Sequence, residues 1–597
     1  MKPTDIKDPE YFHKVVDCQY ACPAHTPVPE YIRLIAQGKY TEAFMINWDS
    51  NVFPGILGRT CDRPCEPACR RTRVDGEPVA ICRLKRVAAD HREDVTDRLP
   101  KKPEQSNGKR IALIGAGPAS FTVANDLAPL GYECTIFEKL PEAGGLMRAN
   151  IPAFRLPEKV LNEELGYILD MGVELKLNTP VASMKALLDE GWDAVFVGTG
   201  APKGKDLNLP GREDGAANIH IGIDWLESVA FEHTDEIGKN VLIIGVGNTA
   251  MDCCRTSLRL GAENVKVMAR KPRSFFKASE WELEDAEEEN VQIMVNHSPK
   301  AFVTENGKLT GMVFELFEYD LDDKGEITGQ RVIGEETLPC DDVILAIGQE
   351  NAFPWIEKDA GIEFGKWDVP VVDEETFEST RKGVFFGGDA AFGPKNIIWA
   401  VEHGHQAAIS IHRHCQGLDL GNRAPREVEL QSAKMGMFEW RYSNAYTAAE
   451  RREMEHVALV DRFKRLNIEV ELGFNAEQIA VEVQRCLNCD VQTVFDAPLC
   501  EECDACIDVC PVECLSITPD APTEDALRLS LSQPEAPDGQ SLYVSNPLPL
   551  TGRVMIKDEN VCLHCGLCAE RCPTSAWDMK EGVIRIPHAD DQKEAAA

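Results

Sequence analysis

Short runs of apolar residues that end at glycine-rich turns divide the middle of the chain. Residues 111–114 (IALI) lead into such a turn, and a helical pattern follows before a second apolar run at 135–137 (TIF). The same order recurs at 241–244 (VLII) and 265–268 (VKVM). A short apolar run bounded by a turn is typical of a strand buried on both faces of a parallel sheet. The pattern predicts a multidomain α/β protein with two nested Rossmann-like domains.

Three further apolar runs, at 195–197, 343–347 and 384–386, also end at glycine turns. They lie on either side of the second pattern, which indicates that one domain is inserted into the other. The predicted bounds are 106–236 with 346–415 for the outer domain and 237–345 for the inserted domain.

The first glycine turn has the composition of a dinucleotide-binding loop. Its glycines let the backbone approach a pyrophosphate at the start of the next helix, where N–H groups and the helix dipole favour negative charge. Glu138 follows the second run at about the spacing of an acid that binds a ribose hydroxyl. The predicted loop contacts are Gly115, Gly117, Pro118, Ala119 and Ser120.

The second glycine turn is followed by basic residues. Its predicted nucleotide contacts are Gly245, Gly247, Asn248 and Thr249. After the next run, Arg270 and Lys271 stand where an NAD site would have an acid. Basic side chains there suit the 2′-phosphate of NADP(H). The alternative interpretation is a solvent-exposed basic turn.

Two cysteine runs near the C-terminus have the spacing of a bacterial two-cluster ferredoxin, Cys-x2-Cys-x2-Cys-x3-Cys-Pro. In such ferredoxins the fourth cysteine of one run ligates the cluster of the other run. Residues 491–597 are therefore predicted to form a domain with two [4Fe–4S] clusters, which carry one electron at a time. The predicted ligands are Cys500, Cys503, Cys506 and Cys572 for one cluster and Cys510, Cys562, Cys565 and Cys568 for the other.

Two further segments lack a nucleotide or cluster pattern. Residues 416–490 contain helix-start patterns at Thr447 and Asn475, which predict a mostly helical linker. Residues 515–555 form an insert, rich in Pro, Ser and Asp, that a plain ferredoxin does not need. We expect a mobile surface excursion there, and a partner-binding arm is the alternative.

Composition and charge restrict the class of protein. The chain has 597 residues, 22 cysteines and a formal net charge of −36. That charge argues against nucleic-acid binding, which needs basic patches. It serves either solubility or the docking of a basic partner. We expect no secretory signal and no membrane span, and the reduced cysteine clusters predict a cytoplasmic protein.

Several segments resemble the flavoprotein half shared by the glutamate synthase small subunit and dihydropyrimidine dehydrogenase. The resemblance covers about residues 15–415 and implies an FAD-binding outer domain and an NAD(P)-binding inserted domain. The segments are GAGPAS at 115–120, FEK at 137–139, AGGLMR at 143–148, IPAFRLP at 151–157, GVGNTAMD at 245–252 and GGDAAFGPKNIIWAV at 387–401.

The same resemblance implies further cofactor contacts. Arg155 would lie near the flavin, and Asn396 and Ile397 near its ring. Gly348 would contact NAD(P). The remaining FAD contacts that it implies are Lys139, Gly145, Leu146, Arg148, Gly200, Gly388 and Asp389.

Residues 1–105 resemble the helical domain of this family, which holds two [4Fe–4S] clusters. That domain opens with an Arg-Cys-x-x-Cys pair, which is absent before Cys18, whereas RCLNCD at 485–490 looks like the missing pair. We therefore predict that Cys486 and Cys489 join Cys18 and Cys69 on one cluster. The alternative is that the pair binds a separate metal or none, which leaves three clusters instead of four. The other predicted cluster has Cys22, Cys61, Cys65 and Cys82.

These cofactors predict an electron path. A nicotinamide exchanges a hydride and a [4Fe–4S] cluster one electron, so a flavin must stand between them, and no catalytic residue is predicted. The family implies an NAD(P)H:acceptor oxidoreductase with a protein partner, and a homodimer.

The layout is similar to iron–sulfur flavoproteins that exchange electrons with dissimilatory sulfite reductase in sulfur-oxidising bacteria. That similarity implies sulfur metabolism and favours NAD(H), against the basic residues 270 and 271. One alternative is the electron-transfer subunit of a 2-oxoacid:acceptor oxidoreductase or a glutamate-synthase-like enzyme. Another, of a different class, is an electron carrier without NAD(P)H activity.

Overall fold

The structure is a computed structural model that describes residues 1–436, 439–443, 445–533 and 542–591. It divides into two compact units. All predicted cluster ligands lie in the first unit and all predicted nucleotide contacts in the second. Among the described residues, no helix has the length and apolar character to cross a membrane. The cysteine-rich unit consists of Met1–Arg98, Arg423–Met454 and Gly473–Ala597, and the central unit of Leu99–Asn422 and Glu455–Leu472.

Seven helices form the N-terminal part of the cysteine-rich unit. Asp8 accepts the N–H of Glu10 and caps the first helix. The third helix buries Tyr31, Ile32 and Ile35 on one face, as expected of an amphipathic helix. The helices are α1 (Pro9–Val15), α2 (Asp17–Ala21), α3 (Val28–Ala36), α4 (Tyr40–Asn51), α5 (Pro54–Thr60), α6 (Thr72–Asp75) and α7 (Ile81–His91).

The apolar runs of the central unit form strands, as their pattern predicts. The strands are β1 (Arg110–Ile114), β2 (Glu133–Phe137), β3 (Glu174–Lys176), β4 (Ala194–Val197), β5 (Lys203–Gly204), β6 (Ile219–Ile221), β7 (Asn240–Ile244), β8 (Asn264–Met268), β9 (Gln292–Met294), β10 (His297–Glu305), β11 (Lys308–Leu321), β12 (Ile327–Pro339), β13 (Asp342–Leu345), β14 (Gln349–Glu350) and β15 (Val384–Phe386). The helices are α8 (Pro118–Leu127), α9 (Leu146–Ala149), α10 (Glu158–Leu169), α11 (Met184–Asp189), α12 (Gly222–Ala230), α13 (Asn248–Arg259), α14 (Glu280–Glu288), α15 (Asp389–Phe392), α16 (Ile397–Cys415) and α17 (Leu459–Arg462).

Two five-stranded parallel sheets form the cores of the nested domains. The outer domain has the strand order β15-β4-β1-β2-β3, and the inserted domain has β6-β13-β7-β8-β9. The predicted nested α/β architecture is therefore confirmed. The strand β6 pairs with β13 of the inserted domain, although the predicted bounds assign its residues to the outer domain.

A three-stranded antiparallel sheet, β10-β11-β12, extends the inserted domain. Met312 and Phe314 of β11 are buried and pack with Leu242 and Ile244 of β7. The antiparallel sheet therefore shares a core with the nucleotide-binding sheet and covers one of its faces.

The C-terminal part of the cysteine-rich unit contains two small antiparallel sheets. Phe12 of α1 packs against Val494 and Ile584, so the N-terminal helices and this part share a core. The strands are β16 (Glu427–Ser432), β17 (Val491–Phe495), β18 (Leu515–Thr518), β19 (Leu542–Val544), β20 (Val554–Asp558) and β21 (Trp577–Arg585), in the orders β16-β21-β17 and β18-β20-β19; the helices are α18 (Ala476–Glu482), α19 (Ala505–Asp508), α20 (Glu524–Arg528) and α21 (Leu567–Arg571).

The insert 515–555 is a folded element in its described residues, so the expectation of a mobile excursion is wrong for them. Leu527 and Leu531 are buried against Val544, Val554 and Ile556. These leucines complete a small hydrophobic core over the second sheet. The polar composition of the segment gives no indication of that core. Residues 534–541 lie outside the described residues.

The linker 416–490 has little helix, contrary to its prediction. The start at Asn475 is confirmed, because Asn475 and Gln478 form a reciprocal capping box. No helix begins at Thr447, where Arg71 instead binds the backbone carbonyl. At Thr447 the chain is therefore held by its contact with Arg71 and not by helical hydrogen bonds.

Candidate functional site

The turn between β1 and α8 is a cradle made of glycine backbones. Gly115 has a φ of +94°, and a Cβ at that position would lie 2.8 Å from the carbonyl oxygen of Gly198. A Cβ on Gly145 would lie 3.0 Å from the Cα of Gly117. Three turns that are distant in sequence therefore meet at a distance that only glycine allows.

Polar groups without partners line this cradle. The helix α8 begins after Gly117 without a side-chain cap. The side-chain oxygens of Ser120 and Thr199 are buried, and neither has a hydrogen-bond partner among the described residues. A buried polar atom without a partner costs about 1–3 kcal/mol, and a bound pyrophosphate would supply what these groups lack. The residues fit the pyrophosphate of FAD.

Glu138 is buried beside the same turn. One carboxylate oxygen accepts the N–H of Ala116 at 2.7 Å, and the other accepts the N–H of Leu140 at 2.9 Å. Because each oxygen has two lone pairs, the carboxylate can accept further hydrogen bonds from ribose hydroxyls. Glu138 therefore fits the predicted role.

The helix α16 packs very closely on α8, and Ala400 near its start lies beside Gly388. A Cβ on Gly404 would lie 2.5 Å from the Cβ of Thr122. Gly388, with a φ of +61°, lies near Ala119, and its N–H donates to His403 Nδ1 at 3.1 Å. Burial raises the pKa of Asp389, the next residue, to about 6.

The other predicted FAD residues have varied surroundings. Asn396 accepts the N–H of Trp399 and caps α16, which begins at Ile397. Leu146 begins α9, Lys139 is exposed, and Gly200 has open space around its Cα.

Two predicted arginine contacts already have protein partners. Arg148 pairs with Glu142 and donates to the carbonyl of Ala143. Arg155 lies 2.6 Å from Asp252 and also pairs with Glu282, so it ties the outer domain to helices of the inserted domain. The sequence pattern contains no signal for that pairing, because the partners are about 100 residues away.

The turn between β7 and α13 repeats the glycine cradle. Gly245 has a φ of +125°, and a Cβ there would lie 2.2 Å from the carbonyl oxygen of Ala346. The helix α13 begins after Gly247 without a side-chain cap, and Gly247 has open space around its Cα. Asn248 accepts the N–H of Ser279 at 3.0 Å and so joins this turn to α14. The turn fits a second pyrophosphate, with Thr249 in the first turn of α13 and Gly348 just after β13.

The basic residues after β8 differ in their surroundings. Arg273 forms ion pairs with Glu280 and Glu287. Arg270 and Lys271 are exposed, and within the described part of the chain neither forms an ion pair. Two cationic side chains are thus available at the end of β8.

Four cysteines from three separate stretches of the chain meet in the cysteine-rich unit. Burial, and then the charges of Cys69, Cys489 and Cys486, raise the pKa of the Cys18 thiol. Arg33 also forms a salt bridge with Asp490 at 2.5 Å, which fixes this segment on α3. The four cysteines come together because the linker returns to the N-terminal helices. We call Cys18, Cys69, Cys486 and Cys489 the shared group.

The remaining N-terminal cysteines form a second set. Hydrogen bonds from Cys61 and Cys65 lower the pKa of Cys82. Lys85 is buried within reach of the whole set: burial opposes its charge, but the neighbouring thiolates raise its pKa overall. The sequence alone had not singled out this lysine. We call Cys22, Cys61, Cys65 and Cys82 the helical group.

The ferredoxin-like cysteines cross between the two runs, as the spacing predicts. Cys572 lies close enough to Cys500 and Cys506 to affect their pKa values, and Cys510 likewise affects Cys565. Cys503 is exposed, whereas the other predicted cluster ligands are buried or partly buried. We call Cys500, Cys503, Cys506 and Cys572 the outer group, and Cys510, Cys562, Cys565 and Cys568 the inner group.

A fifth thiol lies beside the inner group. The Sγ atom of Cys514 is 3.5 Å from that of Cys510. The sequence assigned Cys514 no role because it stands outside the ligand spacing.

Four convergent thiols in each of four sets fit [4Fe–4S] clusters, for which thiolates are the usual ligands.

Three family matches cover these parts of the chain. Residues 109–404 match pyridine nucleotide-disulphide oxidoreductases, residues 13–96 match the 4Fe-4S cluster domain II of dihydropyrimidine dehydrogenase, and residues 499–576 match 4Fe-4S dicluster domains. The class of protein is therefore an oxidoreductase that binds FAD and NAD(P)H and carries [4Fe–4S] clusters.

Three relatives span most of the chain. It is 35% identical to the β subunit of an NADP(+)-dependent formate dehydrogenase of Moorella thermoacetica over 79% of this chain and 70% of the relative. It is 33% identical to the β subunit of the NADPH-Fe(3+) oxidoreductase of Geobacter sulfurreducens, over 81% of this chain and 77% of the relative. It is 32% identical to the NADPH glutamate synthase small chain of Azospirillum brasilense, over 67% of this chain and 86% of the relative. The chain belongs to the iron–sulfur flavoprotein family of the glutamate synthase small subunit and dihydropyrimidine dehydrogenase.

Proposed function

We propose that the chain is an NADPH:acceptor oxidoreductase that exchanges electrons with a protein partner at the outer group. When bound, the flavin exchanges a hydride with the nicotinamide and single electrons with [4Fe–4S] clusters. The observation that supports a protein partner most is that all four cysteine groups lie in one compact unit and that Cys503 of the outer group is exposed.

The proposed cofactor sites use the residues described above. FAD is held by the first glycine cradle with Glu138, and NADPH by the second with Gly245 and Gly247. The four clusters are held by the shared, helical, inner and outer groups. Thiols kept reduced for cluster binding favour the cytoplasm.

The preference for NADPH over NADH rests on Arg270 and Lys271. These side chains have no carboxylate partner among the described residues, so their charges remain available for a 2′-phosphate. The names of the three relatives also specify NADP(+) or NADPH.

For the partner, we propose dissimilatory sulfite reductase and a role in sulfur metabolism, with the chain as a homodimer. The support is the RCLNCD segment, whose cysteines lie in the shared group, together with the fused ferredoxin-like domain. A second candidate partner is a dehydrogenase catalytic subunit, which the likeness to a formate dehydrogenase β subunit favours.

Anaerobic assays of the reconstituted chain with NADPH and a viologen dye test the reductase activity. Dye reduction is expected, and its absence from protein with full flavin and iron content would support the carrier alternative.

Co-purification from the native host, followed by mass spectrometry, distinguishes the partners. Recovery of a dehydrogenase catalytic subunit without sulfite reductase would overturn the first choice of partner.

Iron analysis tests the shared group. Four clusters correspond to about sixteen iron atoms per chain, and Cys486→Ser/Cys489→Ser is expected to remove about four of them. Cys340→Ala/Cys415→Ala is the matched control, because both of those cysteines lie in the central unit. Unchanged iron in the first variant would contradict the assignment.

A further inference from the structure

A fully buried arginine lies between the shared group and the inner group. Arg70 follows Cys69 directly, and its side chain has no exposed surface. One guanidinium nitrogen donates to the carbonyl oxygen of Cys562 at 2.7 Å, and Nε binds Asp17 at 2.7 Å. Asp17 precedes Cys18. Arg70 therefore connects neighbours of two shared-group thiols to a member of the inner group.

A histidine makes a second connection between the same groups. His564 stands between Cys562 and Cys565, and its Nδ1 donates to the carbonyl oxygen of Cys489 at 3.3 Å. Its Nε2 lies 2.9 Å from a guanidinium nitrogen of Arg70. Arg70 and His564 thus form one buried polar contact with both groups.

The charge of Arg70 acts on both groups. Burial opposes that charge, but Asp17, Cys489 and Cys562 favour it and raise the pKa of Arg70 above its usual value. Other charged residues also lie at the contact: Glu559 pairs with Lys557 at 2.6 Å and lies 3.2 Å from His564, and Arg73 lies 3.5 Å from Asp17. Interactions between charges are strong in such a buried setting, because water screens them little.

We infer that Arg70 is a positioning residue that sets the reduction potentials of two clusters at once, those of the shared and inner groups. The inference rests on the cluster assignment of the proposed function. A buried cation stabilises the more negative, reduced form of a cluster, and cluster potentials respond to nearby charge and hydrogen bonds. One cation between two clusters therefore shifts both of their potentials in the same direction.

Lys85 provides a matched control. It is also a buried cation, but it lies in the helical group, where it donates to Asn51 at 3.2 Å. Lys85→Met should therefore shift one cluster potential, and Arg70→Gln should shift two different ones. Arg70→Lys keeps the charge and should restore most of the shift.

The test is an anaerobic redox titration of the full chain, followed by electron paramagnetic resonance, with iron and flavin content measured on each variant. We expect Arg70→Gln to move two of four midpoint potentials to more negative values, neither of them the one that Lys85→Met moves. Arg70→Gln protein with full iron that shows one shift or none would overturn the inference, as would a failure of Arg70→Lys to restore the potentials.

A second variant covers the case in which Arg70→Gln loses iron. Asp17→Asn removes the anion paired with Arg70 and should move the same two potentials to less negative values. Opposite or single shifts would contradict the role of Arg70. Wild-type iron well below about sixteen atoms per chain would instead show that the cluster assignment fails.

Discussion

The turns after β1 and after β7 are built alike and differ where the next strand ends. Each turn has a glycine that approaches a distant carbonyl, and each leads into a helix without a side-chain cap. After β2, Glu138 is buried and held by two N–H groups. After β8, Arg270 and Lys271 are exposed. We propose that the cradle serves as a general phosphate site and that the residues after the second strand select the nucleotide.

The largest expected effect comes from closing the second cradle with a methyl group. Gly245→Ala would place a Cβ 2.2 Å from the carbonyl of Ala346 in a left-handed conformation. We expect the free energy of unfolding to fall by about 3 kcal/mol, from strain and crowding together. Urea unfolding followed by circular dichroism measures this, and a loss below about 1 kcal/mol would show that the loop adapts.

The next effect tests nucleotide selection directly. Arg270→Ala/Lys271→Ala removes two cations, each able to form a charge-assisted hydrogen bond, so KM for NADPH should rise about thirtyfold, or about 2 kcal/mol. KM for NADH should stay unchanged. Arg273→Ala is the control, because Arg273 is paired with Glu280 and Glu287. If Arg273→Ala raised KM for NADPH as much as the double variant does, Arg270 and Lys271 would not be the residues that select the nucleotide.

A third variant separates folding from binding at the same turn. The Cα of Gly247 has open space around it, so Gly247→Ala should leave the stability unchanged. The new methyl group would occupy the approach of the pyrophosphate, and the Kd for NADPH should rise about tenfold. Calorimetric binding measures it. An unaltered Kd would place the pyrophosphate elsewhere.

A smaller effect is expected at the first cradle. Glu138→Gln keeps the size of the side chain but removes its charge, and FAD binding should weaken by about 1 kcal/mol. NADPH binding to the second cradle should not change. Flavin fluorescence during dialysis against FAD measures the difference. A change in NADPH affinity instead would mean that the two cradles are not independent.

The last prediction concerns pH. Burial raises the pKa of Asp389 to about 6 in the folded chain, above its unfolded value of about 3.9. The folded state therefore holds this proton more tightly, and stability falls as the pH rises from about 4 to about 6. Asp389→Asn should flatten this part of the pH profile in flavin-free protein. An identical profile would show that Asp389 titrates normally.

The nucleotide loops and the ferredoxin crossing could be predicted because their signals are local. The turn at Gly115 needs glycine at particular positions, and the fourth cysteine of each run is assigned by spacing alone. The run at 111–114 differs from the observed β1 by one residue.

Other features depend on contacts between distant residues and leave no local pattern. The pairing of Arg155 with Asp252 and Glu282 joins two domains, and Leu527 is buried only because β19 and β20 pass beside it. No pattern in the sequence indicates that the cations of Arg70 and Lys85 are buried. Their burial follows from the groups that surround them in space.

The shared group has a consequence for biosynthesis. Its thiols come from positions 18, 69, 486 and 489, so 420 residues must be translated from Cys69 to Cys489. At about 5–20 residues per second, this takes roughly 20–80 seconds. The four cysteines of the helical group have all been translated once the ribosome has passed Cys82, whereas the shared group lacks a thiol until residue 489 has been translated. On the proposed cluster assignment, delivery of iron and sulfide to the shared group follows their delivery to the helical group, and a ribosome that stalls before residue 489 leaves Cys18 and Cys69 without their two partner thiols.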